Sequence, residues 1–276
     1  MNDNRNDRKL IFLDIDGTLV TDDKEIPAEN KKALDEARAA GHLVALASGR
    51  VIDSVKAQAR KLGLDDEGCY VLGFNGAICV DMHTDEVVYC RPVPRQHVRP
   101  LFDMAEEMGL HTQTYESSTV ITEHDDDEIH YYSTRLKTPY KIVENIEEYL
   151  KEDPCKCLFV DLKGRDKLEV LRQKILPYCK ENGLDTFYSD PIYLDVVKAG
   201  VSKAAGIEYM CQKFGIAHEN TIAAGDAEND ISMIEAAALG CAVANAPDNV
   251  KAHADYVTEN DNNHCAVAEI IRKFVL

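Results

Sequence analysis

The stretch KLIFLDIDGTLV, Lys9 to Val20, decides the fold expected for this chain. Its apolar run, Leu10 to Leu13, is typical of a buried strand. Asp14 and Asp16 follow, and a glycine and a threonine end the strand directly after them. Two like charges this close are costly unless a cation or a shared proton compensates them. Because ligands of open parallel sheets bind at the carboxyl ends of the strands, this stretch predicts a site there.

Composition narrows the class of protein. The chain has 276 residues, 45% of them hydrophobic, and a formal net charge of -18. Such an acidic protein is expected to stay in solution and to bind neither nucleic acid nor membrane surfaces. No apolar run approaches the ~18 residues of a membrane-spanning helix. Nine scattered cysteines, an odd number, and a polar start without a secretory signal predict a cytoplasmic protein with reduced thiols.

The order of apolar and helical segments predicts an α/β fold. Strand-like and helix-like segments alternate up to about residue 84 and again from about residue 194, which is typical of a Rossmann-like parallel sheet. The intervening part, residues 85–193, mixes helices and strands without another pair of strand-end acids. We therefore expect a catalytic core of residues 1–84 and 194–276 with an inserted α/β cap domain of residues 85–193.

One acidic stretch in the insert, HDDDE at residues 124–128, favours a solvated loop. A weak cation site is the alternative interpretation, although the stretch lacks the glycine of a calcium-binding loop.

Three more polar stretches fall at predicted strand ends or helix starts. ALASGR places Ser48 after a strand, VSKAAGI places Lys203 in the first turn of a helix, and GDAEND places Asp226 after another strand. Each has an ordinary explanation by itself, namely a helix cap, a surface lysine and an acidic turn. Together with the first stretch, in this order, they predict one shared site.

These four stretches resemble the motifs of the haloacid dehalogenase-like superfamily, most of whose members are magnesium-dependent phosphatases. DIDGTL is similar to its first motif, DxDGT, and the other three stretches follow in the family's order. The long insert, with NGA at Asn75 to Ala77 ahead of it, resembles the Cof-type branch with its α/β (C2-type) cap. Across the insert, the resemblance is one of position and length only.

Phosphate-ester chemistry and this resemblance together imply roles for the candidate residues. Asp14 would be the nucleophile, and Asp16 would protonate the leaving oxygen and later accept a proton from water. Lys203 would offset the negative charge of the nucleophile and the transferred group. The remaining candidates are Ser48, Gly49, Lys203 and Asn229 for the phosphate, Asp14, the backbone carbonyl of Asp16 and Asp226 for Mg²⁺, and Asp230 for orienting metal-bound water.

The leading hypothesis is a Mg²⁺-dependent phosphatase of small phosphorylated metabolites such as sugar phosphates or phosphorylated cofactors, acting as a monomer or homodimer. A phosphomutase resembling phosphomannomutases is the alternative, since it would share this core and an α/β cap. A non-hydrolytic phosphoryl-accepting module is less favoured, because such receivers are shorter and lack a cap. The roles of Arg50 and Asn75 are left open at this point.

Overall fold

A computed structural model describes residues 7–276. Most of the polar start of the chain therefore lies outside the described residues. The chain forms two compact units. The first contains the segment that ends at Ser48, together with Val55–Val88 and Ser202–Leu276, and the second contains Gly49–Ser54 and Tyr89–Val201.

Residues 7–276 form fourteen strands. They are β1 (Leu10–Leu13), β2 (Leu43–Ala47), β3 (Cys69–Gly73), β4 (Ile78–Asp81), β5 (Val87–Cys90), β6 (His111–Glu116), β7 (Thr119–Thr122), β8 (Tyr140–Ile142), β9 (Cys157–Val160), β10 (Leu184–Asp190), β11 (Tyr193–Lys198), β12 (Thr221–Gly225), β13 (Leu239–Ala242) and β14 (Tyr256–Val257).

Ten α-helices alternate with these strands in the described part of the chain. They are α1 (Ala28–Ala39), α2 (Ile52–Lys61), α3 (Val98–Glu106), α4 (Asp127–Leu136), α5 (Ile146–Tyr149), α6 (Arg165–Glu181), α7 (Lys203–Phe214), α8 (Ile231–Ala236), α9 (Asp248–Lys251) and α10 (Ala266–Phe274).

The first sheet has the order β14-β13-β12-β1-β2-β3-β4-β5. Strands β14 to β3 pair in parallel, and β4 returns antiparallel to β3. All four side chains of β1 are buried, as a strand covered on both faces requires. Leu13 pairs with Ala224 and with Leu46, so the residues that follow β1, β12 and β2 meet at one carboxyl edge. The predicted parallel-sheet α/β core is confirmed.

The second sheet, β10-β11-β9-β6-β7-β8, lies in the inserted unit and is mainly antiparallel. Only β7 and β8 pair in parallel among its described pairs. Alternate side chains of its strands, such as Phe159 and Leu194, join a core with Phe102 of α3 and Leu171 of α6. The insert is therefore an α/β unit with a hydrophobic core of its own.

The interpretation of residues 124–128 as a solvated loop holds for residues 124–126 and is wrong for Asp127 and Glu128, which form the start of α4. Asp126 caps α4, because its Oδ1 accepts a hydrogen bond from the Ile129 N–H at 3.0 Å. Acidic residues in the first turn also suit the positive end of the helix dipole. Ile129 and Tyr132 provide the buried face of the helix. An acidic run can thus begin a helix as well as form a loop.

Within residues 7–276, the helices are too short or too polar for any of them to cross a bilayer.

Candidate active site

Three carboxylates converge at the carboxyl edge of the first sheet. Asp14 directly follows β1, Asp226 directly follows β12, and Asp230 closes the short turn after it. One oxygen of each carboxylate lies within 4.8 Å of the others. The structure thus brings Asp14 together with Asp226 and Asp230, a pair that lies far from it in the sequence.

A buried lysine joins two of these carboxylates. Lys203 is 1% exposed, and its Nζ lies 2.5 Å from Oδ1 of Asp14 and 2.5 Å from Oδ1 of Asp230. It is the first residue of α7, whose N-terminus is capped by Ser202 through a 3.2 Å bond from the Ala205 N–H. The cap determines where α7 begins, and because Lys203 is the first residue of the helix, the cap also determines the position of its ammonium group.

Asp230 holds the turn that carries Asp226. Its Oδ2 accepts hydrogen bonds from the backbone N–H groups of Asp226 at 3.1 Å and Ala227 at 3.0 Å. A Cβ atom at Gly225 would lie 2.3 Å from the Asp230 Cβ, so glycine is needed for this close approach. Both oxygens of Asp230 are therefore engaged within the chain.

The site carries excess negative charge, because three carboxylates face one ammonium group. Burial raises the pKa of Asp14 well above its usual range, and the Asp230 carboxylate raises it further, against the opposing effect of Lys203. Burial, followed by Asp230, also raises the pKa of Asp226 to about 6. Burial would lower the pKa of Lys203, but the two carboxylates beside it raise that pKa overall. A bound cation would relieve this repulsion.

The donor set fits a divalent cation. Carboxylate oxygens are the ligands that hard cations such as Mg²⁺ prefer. Asp226 Oδ1 accepts a hydrogen bond from the Thr18 hydroxyl at 2.9 Å, and Asp14 Oδ1 contacts the lysine. Asp14 and Asp226 therefore supply carboxylate oxygens that could hold an ion, whereas both oxygens of Asp230 are bonded to Lys203 and to two backbone N–H groups.

Asp16 lies nearer to solvent. Its side chain is 34% exposed, and its Oδ1 lies 3.0 Å from Nζ of Lys24. Lys24 belongs to a tight turn closed by a 2.8 Å bond from the Thr21 N–H to the Glu25 carbonyl. A carboxylate at this position can exchange protons with water, as an acid–base group must.

Two of the residues expected to bind phosphate, Ser48 and Asn229, lie at turns that are joined through Asn75. Ser48 is buried directly after β2, and its carbonyl accepts a 3.0 Å bond from the Asn75 N–H. Asn229 donates from Nδ2 to Oδ1 of Asn75 at 3.1 Å. Gly49 and Arg50 follow Ser48 in the chain and begin the short segment that belongs to the second unit.

Sequence reasoning missed the residues that brace the DGT turn. A Cβ at Gly17, where φ is +84°, would lie 2.5 Å from Oδ2 of Asp226. Asn245 donates to the Gly17 carbonyl at 2.8 Å, and Asn262 donates to the Val20 carbonyl at 3.0 Å. Asn245 follows β13, so the rule that sites lie at parallel strand ends could have identified it.

This arrangement defines a class of protein. A parallel α/β core with clustered carboxylates and a buried lysine at its strand ends is suited to an enzyme acting on an anionic substrate with a cation. Residues 11–271 match the family described as haloacid dehalogenase-like hydrolases. The chain belongs to this family, and the resemblance seen in its motifs is confirmed.

Two similar proteins are phosphatases by name. The chain is 31% identical to the 5-amino-6-(5-phospho-D-ribitylamino)uracil phosphatase YcsE of Bacillus subtilis, over 98% of this chain and 97% of that protein. It is 29% identical to the pyridoxal phosphate phosphatase YbhA of Escherichia coli, over 95% and 97% of the two chains. A crystal structure of a haloacid dehalogenase-like hydrolase from Bacteroides thetaiotaomicron superposes with a TM-score of 0.86 at 30% identity, covering 96% of this chain and 99% of that one.

Proposed function

We propose that this protein is a Mg²⁺-dependent phosphatase that hydrolyses small phosphorylated metabolites through an aspartyl-phosphate at Asp14. The observation that carries the proposal is the buried cluster of Asp14, Asp226, Asp230 and Lys203 at the strand ends. A carboxylate nucleophile, an excess of negative charge for a cation and a fixed ammonium group are what phosphoryl transfer requires.

In the first half of the reaction, an oxygen of Asp14 attacks phosphorus in line with the leaving oxygen. A new bond forms between the carboxylate oxygen and phosphorus, and the ester bond to the leaving group breaks. Asp16 donates its proton to the departing alkoxide, which would otherwise be a strongly basic leaving group. The Lys203 ammonium group stabilises the charge on Asp14 and on the transferred oxygens.

In the second half, water attacks the phosphorus atom of the aspartyl-phosphate. Asp16, now a carboxylate, takes a proton from that water, so that both acids return to their starting state. Inorganic phosphate leaves, and the Asp14 carboxylate is restored. Ser48, Gly49 and Asn229 would hold the phosphoryl oxygens through both steps.

Asp14, the backbone carbonyl of Asp16 and Asp226 would hold the Mg²⁺ ion. When bound, the ion neutralises the phosphate so that two anionic groups can approach each other. Asp230 acts in this scheme by fixing the turn of Asp226, through the two hydrogen bonds to its Oδ2.

The substrate class follows from what the named relatives share. YcsE and YbhA are named for different compounds, a phosphoribityl pyrimidine and a phosphorylated cofactor, and both compounds are small phosphate monoesters. We propose a substrate of that kind, with the inserted segment, residues 85–193, selecting the leaving group.

The test is phosphate release from a panel of sugar, nucleotide and cofactor phosphates, with and without Mg²⁺. Asp14→Asn keeps the side-chain shape and removes the nucleophile, so release should fall on the order of 10⁴-fold or more. Asp35→Asn, a change in the partly exposed ion pair with Lys31, is the control and should leave release unchanged. Full activity in the Asp14 variant would disprove the nucleophile assignment, and isomerised sugar phosphate without released phosphate would favour the mutase.

A further inference from the structure

The turn between β3 and β4 has an unusual backbone. Phe74, Asn75 and Gly76 have φ values of +51°, +57° and +92°, so three successive residues are left-handed. This conformation suits glycine, is tolerated by asparagine and costs a bulky residue such as phenylalanine on the order of 1–2 kcal/mol. Phe74 and Asn75 are also buried, at 1% and 2% exposure. Strain of this kind persists only where the surrounding structure imposes it.

The strained turn contacts three parts of the candidate active site. The Asn75 N–H donates to the Ser48 carbonyl, and the Asn75 side chain accepts from Asn229. A Cβ at Gly76 would lie 2.4 Å from the Ser202 carbonyl oxygen and 3.4 Å from the backbone nitrogen of Lys203. The turn therefore packs against the end of β2, the turn after β12 and the start of α7.

The side-chain amide of Asn75 is only half satisfied. Its Oδ1 accepts the 3.1 Å bond from Asn229, while its buried Nδ2 has no hydrogen-bond partner among the described residues. Rotating the amide by half a turn would exchange the two atoms and leave the oxygen without a partner instead. A buried polar atom without a partner costs roughly 1–3 kcal/mol. An apolar residue would avoid this cost but could not hold Asn229.

We propose that Asn75 is a positioning residue, which fixes the Asn229 side chain in the orientation that binds the phosphoryl group. The proposal rests on the proposed function, because Asn229 is assigned there to the phosphate. The strained backbone and the unpaired Nδ2 of Asn75 are both unfavourable, and both are needed to place Oδ1 of Asn75 next to Asn229 from a buried turn. One N–H of the Asn229 amide is then held by Asn75, and the other polar groups of that amide have a defined direction.

The test variant is Asn75→Gly, because glycine adopts the left-handed backbone without strain and loses only the side chain. It is compared with N229A and with the double variant N75G/N229A. The readout is the affinity for inorganic phosphate, measured by calorimetry in saturating Mg²⁺, which does not require turnover. Asn182→Ala, which removes a 2.8 Å bond to the Tyr178 carbonyl in the other unit, is the matched control.

N75G should weaken phosphate binding about tenfold, the effect of losing one hydrogen bond. In the N229A background, replacing Asn75 by glycine should not weaken phosphate binding further, because the Asn229 side chain that Asn75 positions is already absent. The midpoint temperature of thermal unfolding of N75G should be no lower than that of the wild type. The proposal is overturned if N75G binds phosphate normally, if its effect multiplies with that of N229A, or if the wild type binds no phosphate. If the wild type releases no phosphate from any ester, but the variants show this non-additive loss of phosphate binding, only the proposed function is contradicted.

Discussion

At the scale of single residues, the candidate active site depends on one buried ammonium group. Lys203 contacts Asp14 and Asp230, so each carboxylate is partly compensated although both are buried. Removing the Lys203 charge would leave both buried carboxylates without this cation, and breaking a buried ion pair in this way typically destabilises a protein by about 3–5 kcal/mol. The same ammonium group would therefore stabilise the fold and, in the proposed function, the charge on the transferred phosphoryl group.

Gly17 allows a direct test of whether the position of the Asp226 carboxylate matters for Mg²⁺ binding. Its φ is +84°, and a Cβ there would lie 2.5 Å from Oδ2 of Asp226. Gly17→Ala should therefore displace the Asp226 carboxylate and raise the Mg²⁺ concentration needed for half-maximal activity about tenfold or more.

Gly41 provides a matched control for this prediction. Its φ is +93°, but nothing lies within 4 Å of a Cβ placed there. Gly41→Ala should lower the free energy of unfolding by about 1–2 kcal/mol through backbone strain alone and leave the Mg²⁺ titration unchanged. Equal Mg²⁺ titrations in the two variants would show that Asp226 does not bind the ion.

At the scale of elements, helix α7 links local sequence signals to the site. Ser202 accepts from the Ala205 N–H, and Gly215 ends the helix with a φ of +64°. Ser202→Ala should reduce stability by about 1 kcal/mol and also lower kcat/KM several-fold, since the first turn carries Lys203.

A helix N-cap in the inserted unit provides a control that separates the loss of stability from the loss of kcat/KM. Asn145 caps α5 in the same way, by accepting from the Glu148 N–H at 3.0 Å. Asn145→Ala should cost a similar amount of stability, measured by denaturant unfolding, while its kcat/KM stays at the wild-type value. A Ser202 variant that loses stability but keeps full kcat/KM would contradict the link between helix start and site.

Elements with clear local sequence signals could be predicted from the sequence, and elements without them could not. Strand β1 and helix α7 carry their own local signals, namely an apolar run before two acids and a cap with a terminal glycine. Helix α4 was missed, because its acidic start also suits a loop and its buried face is small. The contact between Asn75 and Asn229 joins residues 154 positions apart, so nothing local to either residue indicates it.

At the scale of the whole molecule, the chain inserts one unit into another. The second unit has its own sheet and its own buried core. Arg91, near the start of its long segment, donates to the carbonyl oxygens of Ala199 at 3.1 Å and Gly200 at 3.4 Å. The two ends of residues 89–201 therefore lie side by side, as is usual for units that can fold alone.

We therefore expect a fragment of residues 89–201 to fold independently. It should unfold cooperatively in urea with a free energy of about 5 kcal/mol, which is ordinary for a unit of this size. A shorter fragment that begins at Val98 is the control, because it lacks buried Val93, whose N–H donates to the Pro154 carbonyl at 2.7 Å, as well as Arg91. That fragment should be less stable by several kcal/mol. A gradual transition in the longer fragment would mean that the inserted unit needs the first unit to hold its fold, and that its core is not self-sufficient.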